Sequence, residues 1–404
     1  MTRLTSPALP LSALVIALLA LAPGCQFTAP DVPPGGNADP EPGGDAGAVA
    51  DAAPMVDAAP LPASEFRKPI TIPAGTVAST LANFPVFISI TADDDLRQNA
   101  TTAGDDIHFV AADGATPLDH ELELWEPGAG QLVAWVRVPA ISSGNDTVFY
   151  LRYGDLSVTP PGENPAGVWI DGFAAVWHFE ESPGSGQTGA IRDSRGALSA
   201  TAHSSMRDSD HVTGQLGQGI RFDGGDDEIR FSNPFSGSSS HTISLWVDQD
   251  NTNNNDALVV MGTDECDQAR WFHGRFGNQT VAAGFYCNDW NDTGADIQNQ
   301  GFTLLHWTFN SAGRQSRLYR NGTLVDSNMH SVGIDTQGQT GVIGNAPPAG
   351  PGLGYGPDMG FNGVLDEVRL ATVARSDVWI EAEFANQNSP ATFYSIGSEE
   401  PGTP

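Results

Sequence analysis

Basic residues are scarce in this sequence. Its 404 residues include 18 Lys and Arg against 49 Asp and Glu, a formal net charge of −31. Nucleic-acid binding needs cationic surface to displace counterions from phosphates, so that class of partner is excluded. The same deficit excludes docking on anionic lipid through a basic patch. Charged residues of both signs reach only 17%, which argues against long surface helices laced with ion pairs. Cysteine is limited to three positions, Cys25, Cys266 and Cys287, and no Cys or His lies at zinc-finger spacing from them. There is no G-x-S-x-G, H-E-x-x-H or Walker loop, and the 9 His are scattered. The reading is therefore a non-enzyme. What the chain does have is 46 Gly and 29 Pro, which call for many turns, and 9 Trp and 19 Phe, enough to build apolar cores.

No apolar run is long enough to span a bilayer comfortably. The longest, from Leu9 to Ala22, follows Arg3, the only charge before Asp31. Its length and flanks are those of a signal-peptide core, which assigns residues 1–24 to a targeting segment. From residue 25 to 64 the composition shifts to Ala, Pro, Gly and Asp with no Lys or Arg before Arg67. Such a segment buries too little to offset its ordering entropy, so an extended, disordered linker is expected there. The run ends in Ala22-Pro23-Gly24-Cys25, which resembles a bacterial lipobox. That resemblance implies that Cys25 is lipidated, and that the lipid anchor is the only contact with the membrane. Gln26 after it implies the outer membrane or cell surface rather than inner-membrane retention.

Two all-β domains follow. Over 65–157, Phe84–Ile90, Ile107–Val110, His120–Trp125, Leu132–Val138 and Thr147–Tyr153 alternate apolar and polar residues between turn signals, the pattern of an antiparallel sandwich with no helix-period segment. Over 168–398 many short strand candidates recur, which predicts a double-sheet jelly roll. Asn321-Gly322 is the strongest hairpin signal, and one helix is expected from Ser376, a capping residue, to about Phe384.

Both domains carry resemblances. Leu81-x-Asn83-Phe84-Pro85-Val86, Gly104-x-Asp106-Ile107-x-Phe109, His120-Glu121-x-Glu123, Trp135-Val136-x-Val138 and Tyr150-x-x-Tyr153-Gly154-Asp155 come in order and resemble the bacterial envelope domain of unknown function 2341. Trp177-His178-Phe179-Glu180-Glu181, Asp193-Ser194-x-Gly196, Gly219-Ile220-x-Phe222-Asp223-Gly224, Ser244-Leu245-Trp246-Val247, Trp307-x-Phe309 and Leu365-Asp366-Glu367-Val368-Arg369 resemble the laminin-G/concanavalin-A-like jelly roll. The second resemblance implies recognition of carbohydrate or extracellular protein. It also implies a structural calcium, for which it points to Glu181, Asp193 and Asp366. The oxygen-only donor set suits that ion. Asp223, Asp226 and Asp227 form another acidic group and read as a solvated turn.

Three further constellations bear on function. Cys266 and Cys287 flank two strand candidates, so a hairpin brings them together, and an exported protein permits the disulfide. Trp271, His273, Asn288, Asp289, Trp290 and Asp292 combine aromatics with planar polar groups, the chemistry of a glycan platform. Trp290, set between Asp289 and Asn291, is the residue expected to be exposed. Glu121-x-Glu123-x-x-Glu126 resembles the acidic strand of laminarinase-type glycosidases, but alternating carboxylates on a strand more often form the wet face of a sandwich. His178 and His306, in apolar strands, read as buried structural residues. The functional expectation is a surface-tethered lectin-like protein. The alternatives are an envelope scaffold or adhesin binding protein without a sugar site, and a polysaccharide hydrolase.

Overall fold

In the strand Thr147–Tyr153 every second residue, Thr147, Phe149, Leu151 and Tyr153, is buried. That period-2 pattern pairs it residue for residue with Phe66–Ile72, from Phe66 opposite Tyr153 to Ile72 opposite Thr147. The computed structural model describes residues 65–155, 162–185, 190–250, 255–263, 265–276, 280–331, 333–338, 340–346 and 359–401. The expected signal peptide, Cys25 and the 25–64 linker lie outside the described residues.

The first module has two sheets. Leu81–Ile90, Gln131–Ile141 and His120–Glu126 form one of three strands. Phe66–Ile72, Thr147–Tyr153, His108–Ala111 and Pro117–Leu118 form the other, joined by the chain's C-terminal strands Ser395–Ile396 and Glu400–Pro401 on Phe66–Ile72. The last strands thus return to the first module, which corrects the expectation of a jelly roll running to residue 398. One turn of helix, Asp94–Asn99, was also not expected. Asp93 makes it, accepting the backbone N–H groups of Asp95 and Leu96 at 3.0 Å each while Leu96 is fully buried.

The second module is a jelly roll of eight-stranded and seven-stranded antiparallel sheets. In the eight-stranded sheet Asn362–Ala371 is flanked by His241–Gln249 on one side and by Phe173–Trp177 and Gln218–Asp223 on the other. Trp177, Phe222, Phe272, Phe285, Trp307 and Phe309 fill the space between the sheets. Asn321 and Gly322 take positive φ (51° and 76°) in the turn between Gln315–Arg320 and Thr323–Met329, as a two-residue hairpin of right-handed twist requires.

The C-terminal helix Asp377–Asn388 starts where expected, with Ser376 Oγ accepting the Trp379 N–H at 3.3 Å, and runs one turn beyond Phe384. It joins the modules. Trp379 packs on Phe84 at 4.9 Å between ring centroids and on Phe173 at 6.3 Å. A single apolar cluster runs across the junction from Phe84, Trp135 and Phe393 to Trp169, Phe173, Val176 and Ala371.

Candidate functional site

Cys266 and Cys287 form the expected disulfide, with Cα atoms 5.0 Å apart, below the hairpin of Ala269–Arg275 and Ala282–Phe285. The six residues expected to form a glycan platform near it are divided by the pleat. Trp271 and His273 lie on the outer face of the seven-stranded sheet, where an aromatic group with Phe276 and Tyr286 buries them to 5% and 1% exposure. Burial drives the His273 imidazole down to about 3 and leaves both its nitrogens without hydrogen bonds. Asp289 stands on that same face and is pushed up to about 6 by burial, while the Trp271 indole donates to it. The next residue, Trp290, points the opposite way. It joins the main core and donates Nε1 to Asp326 at 2.9 Å. The expectation that Trp290 is exposed is therefore corrected: Asp289 takes the outward position of its strand, so its neighbour must turn inward. Asn288 donates to Asp267 and Ser331, and Asp292 accepts from Thr280 and the Gly294 N–H.

The three carboxylates assigned to calcium do not converge either. Asp193 accepts backbone N–H groups of Val176, Arg195, Ala197 and Leu198. Glu181 accepts from Arg192 at 2.6 Å. Asp366 holds the N–H groups of Gln215 and Leu216 at 2.8 Å each. In the acidic turn, Asp227 and Glu228 are buried rather than solvated, with Asp227 accepting from Ser205 and the Asp223 N–H.

Ionisable groups instead converge at the junction of the modules. His120–Glu126 points Glu121 and Glu123 away from water and onto His178, which follows the first strand of the jelly roll. His178 Nδ1 lies 2.6 Å from Glu367 Oε1 and 3.5 Å from Glu123 Oε2; its Nε2 lies 3.4 Å from Glu121 Oε2. Its ring stacks on Trp135 at 5.7 Å and meets Trp169 at 5.5 Å. Trp135 Nε1 donates to Glu123 at 2.6 Å, Trp169 Nε1 to Glu121 at 2.8 Å, and Ser194 Oγ to Glu121 at 2.6 Å. Arg369 lies over both indoles, at 4.4 and 4.9 Å, and joins Glu367 to Glu383, which also faces His306 Nε2 at 3.1 Å.

The electrostatics divide the carboxylates. Burial alone would raise Glu121, but His178 beside it holds it down to about 2. Glu123 is pushed up to about 8 by burial and by Glu367, and Asp366 rises for the same two reasons. Burial opposes charge on His178 as well, yet Glu367 and Glu121 carry it well above its ordinary value. These residues are the part that sequence reasoning missed. Glu121 and Glu123 read as a wet face. The counter-signal was the cluster of Trp135, Trp169, His178 and Arg369, a set suited to covering and pairing buried carboxylates.

An open groove lies on the outer face of the eight-stranded sheet beside the start of the C-terminal helix. It encloses 430 Å³ between Thr308, Asn310, Gln315, Arg317 and Tyr319 on the sheet and Arg375–Val378 on the helix side. Strand register sets its floor, with Thr308 opposite Arg317 and Asn310 opposite Gln315. Asp377 receives both Arg317 Nη1 at 2.9 Å and the Tyr319 hydroxyl at 2.6 Å. A second hollow of 640 Å³ continues past Tyr319 and Asp377 to Asn321, Thr323, Glu381 and Asn388.

Residues 223–381 match the family described as the concanavalin A-like lectin/glucanases superfamily, of laminin-G type. The second module is a concanavalin A-like domain. Residues 103–189 match the domain of unknown function 2341. That match includes Glu121, Glu123, Trp135, Trp169 and His178, so it reaches across the junction and takes in Trp177–Glu181, which the sequence reading gave to the jelly roll. No curated protein matches the chain. Similar solved structures include the binding domain of Paraclostridial Mosquitocidal Protein 1 (17% identity, TM-score 0.39, 54% of this chain and 53% of that one). Another is domain 4 of AbnA, a GH43 extracellular arabinanase from Geobacillus stearothermophilus in complex with arabinotriose (18%, 0.37, 53% and 98%). A third is the botulinum neurotoxin serotype D binding domain (13%, 0.39, 55% and 53%). The chain spans about half the length of the two toxin domains.

Proposed function

We propose that the concanavalin A-like domain binds a glycan or extracellular polysaccharide in the groove of Thr308, Asn310, Gln315, Arg317 and Asp377, without catalysis. In this reading the protein is held at the cell surface by a lipid on Cys25 and a linker over 25–64. The observation that carries the reading is the groove itself: an open row of planar amide and guanidinium groups on a rigid sheet, faced by the Asp377 carboxylate at the start of the helix, the donors and acceptors that match sugar hydroxyls. The buried Trp271 and Trp290 cannot supply a stacking platform, and Glu121 and Glu123, enclosed between the modules, do not face a substrate cleft.

The test is a glycan and polysaccharide array on the full chain and on Arg317→Ala and Asn310→Ala. Binding by the parent and loss in both variants, at unchanged melting temperature, supports the groove. Equal binding by parent and variants moves the site elsewhere. A second reading is binding to protein. It rests on the edge strand Thr323–Met329, which leaves Leu324, Val325 and Met329 at 43%, 39% and 62% exposure. An array on which the folded parent binds nothing favours that alternative.

A further inference from the structure

We propose that Glu123, His178 and Glu367 form a zinc-type divalent metal site at the junction of the two modules. One oxygen of each carboxylate and one nitrogen of the imidazole lie within 4.8 Å of one another, and this is the one such group of three His, Cys, Asp or Glu side chains among the described residues. The donor set decides the class of ion. An imidazole nitrogen with two carboxylate oxygens suits zinc and its borderline neighbours, whereas calcium takes six to eight oxygens and leaves an imidazole unused.

Two of the donors are already hydrogen-bonded as metal ligands would be, and the third faces a carboxylate. Glu121 faces the far nitrogen of His178 at 3.4 Å, Trp135 donates to Glu123 at 2.6 Å, and Arg369 holds Glu367. Outer partners of this kind fix the tautomer and orientation of metal-binding groups. A separate observation points to a cation as the ligand. Glu123 Oε1 and Asp366 Oδ1 have no hydrogen-bond partner, although the Glu123 side chain is 2% exposed and Asp366 is fully buried. Around them Glu121 and Glu367 add further carboxylate, against His178 and an Arg369 that is shared with Glu383. A buried excess of carboxylate calls for compensation. Metal binding provides it: the dication takes the place of two protons, the one between His178 Nδ1 and Glu367 and the one that the raised Glu123 carboxyl holds at neutral pH, and both leave to solvent. Exposed Gly217 gives the route. A Cβ there would stand 2.9 Å from Glu123 Oε1 and 2.3 Å from Glu180 Oε1, so this exposed residue lies directly against the cluster and has no side chain to fill the space between.

The experiment dialyses the full chain against chelator, reloads it with zinc chloride, and measures bound metal and melting temperature. About one zinc per chain and a raised melting temperature are expected. Glu123→Gln, which keeps an oxygen for the Trp135 bond, should weaken binding about 100-fold or more, since loss of even an outer partner costs about 10–100-fold. Glu181→Gln should leave binding intact. Cobalt(II) loading of the unmutated chain gives a readout that needs no variant: an intense visible spectrum of low coordination number is expected. Absence of stoichiometric metal in a folded chain, a weak solvent-like octahedral cobalt spectrum, or full binding by Glu123→Gln would each overturn the site.

Discussion

Asn386 and Phe87, 299 residues apart, hydrogen-bond like neighbouring strands: the Phe87 N–H donates to Asn386 Oδ1 at 2.7 Å, and Asn386 Nδ2 donates to the Phe87 carbonyl at 3.0 Å. The side chain of the C-terminal helix thus satisfies both backbone groups of a strand in the other module, and both residues are buried. Asn386→Ala strands that N–H and carbonyl without partners, at a cost of about 2–4 kcal/mol for the two together. Asn386→Asp keeps the acceptor but buries an unpaired charge, and should be at least as damaging. Urea unfolding of both variants checks this. A loss under about 0.5 kcal/mol for Asn386→Ala would mean that the helix is not fastened at this point.

The contact also shows what sequence pattern can and cannot reveal. Thr147–Tyr153 and His120–Glu126 were legible because alternation is a local property, and Asn321-Gly322 because a two-residue hairpin demands residues that tolerate positive φ. The Cys266–Cys287 pairing followed from a hairpin in the same way. What was not legible depends on which surface covers which. Glu121 and Glu123 alternate as a solvated face would, and only the approach of His178 and Glu367 from the second module makes that face an interior. Trp290 illustrates the converse: polar neighbours made it look exposed, but the pleat places it on the core side while Asp289 faces out. The return of Ser395–Ile396 to the first sheet pairs residues more than 300 positions apart, beyond any periodicity.

The disulfide between Cys266 and Cys287 closes a loop of sequence separation 21. Restricting the unfolded chain over such a loop corresponds to about 3 kcal/mol. The double variant Cys266→Ser/Cys287→Ser should lose stability on that scale, and reductant should bring the parent to the same value. Because the bridge lies away from the groove of Arg317 and Asp377, affinity for any ligand found there should not change while the domain remains folded.

His273 makes stability depend on pH in a calculable direction. Its imidazole is held at about 3 by burial among Trp271 and Phe276, against 6.5 as a free group. Below 6.5 the unfolded chain takes up a proton that the folded one refuses, so the contribution is fully present above 6.5 and falls away as pH drops toward 3. By pH 5 the loss from this residue is about 2 kcal/mol at most. Asp289 on the same face, raised to about 6, opposes it over part of that range, because its folded form gains a proton first. The informative comparison is therefore between parent and His273→Phe. The variant should lose less stability between pH 7 and pH 5, and identical pH profiles would show that His273 becomes protonated without unfolding.

Arg369 is the cation on which the junction turns. It is 2% exposed, joins Glu367 to Glu383, and covers the faces of Trp135 and Trp169. Arg369→Met leaves two buried carboxylates without that partner, and removing one member of a buried ionic group costs about 3–5 kcal/mol. Arg369→Lys retains the charge but cannot do the same work: an ammonium is a compact point donor, while the guanidinium is a planar fork that spans two carboxylates and stacks on indoles at once. Lys should therefore recover less than half of the loss. The measurement is chemical unfolding of both variants in chelator, so that bound metal does not contribute. The indole N–H signals of Trp135 and Trp169, resolved by NMR from those of the other tryptophans, should be followed beside circular dichroism of the whole fold. In the parent the two signals should change together, because an apolar cluster crosses the junction and ties the modules to each other. In Arg369→Met the two indole signals should change first, since the junction is weakened while the sheets of each module keep their own cores. Full stability in Arg369→Lys would show that charge alone, not the shape of the guanidinium, holds the modules together.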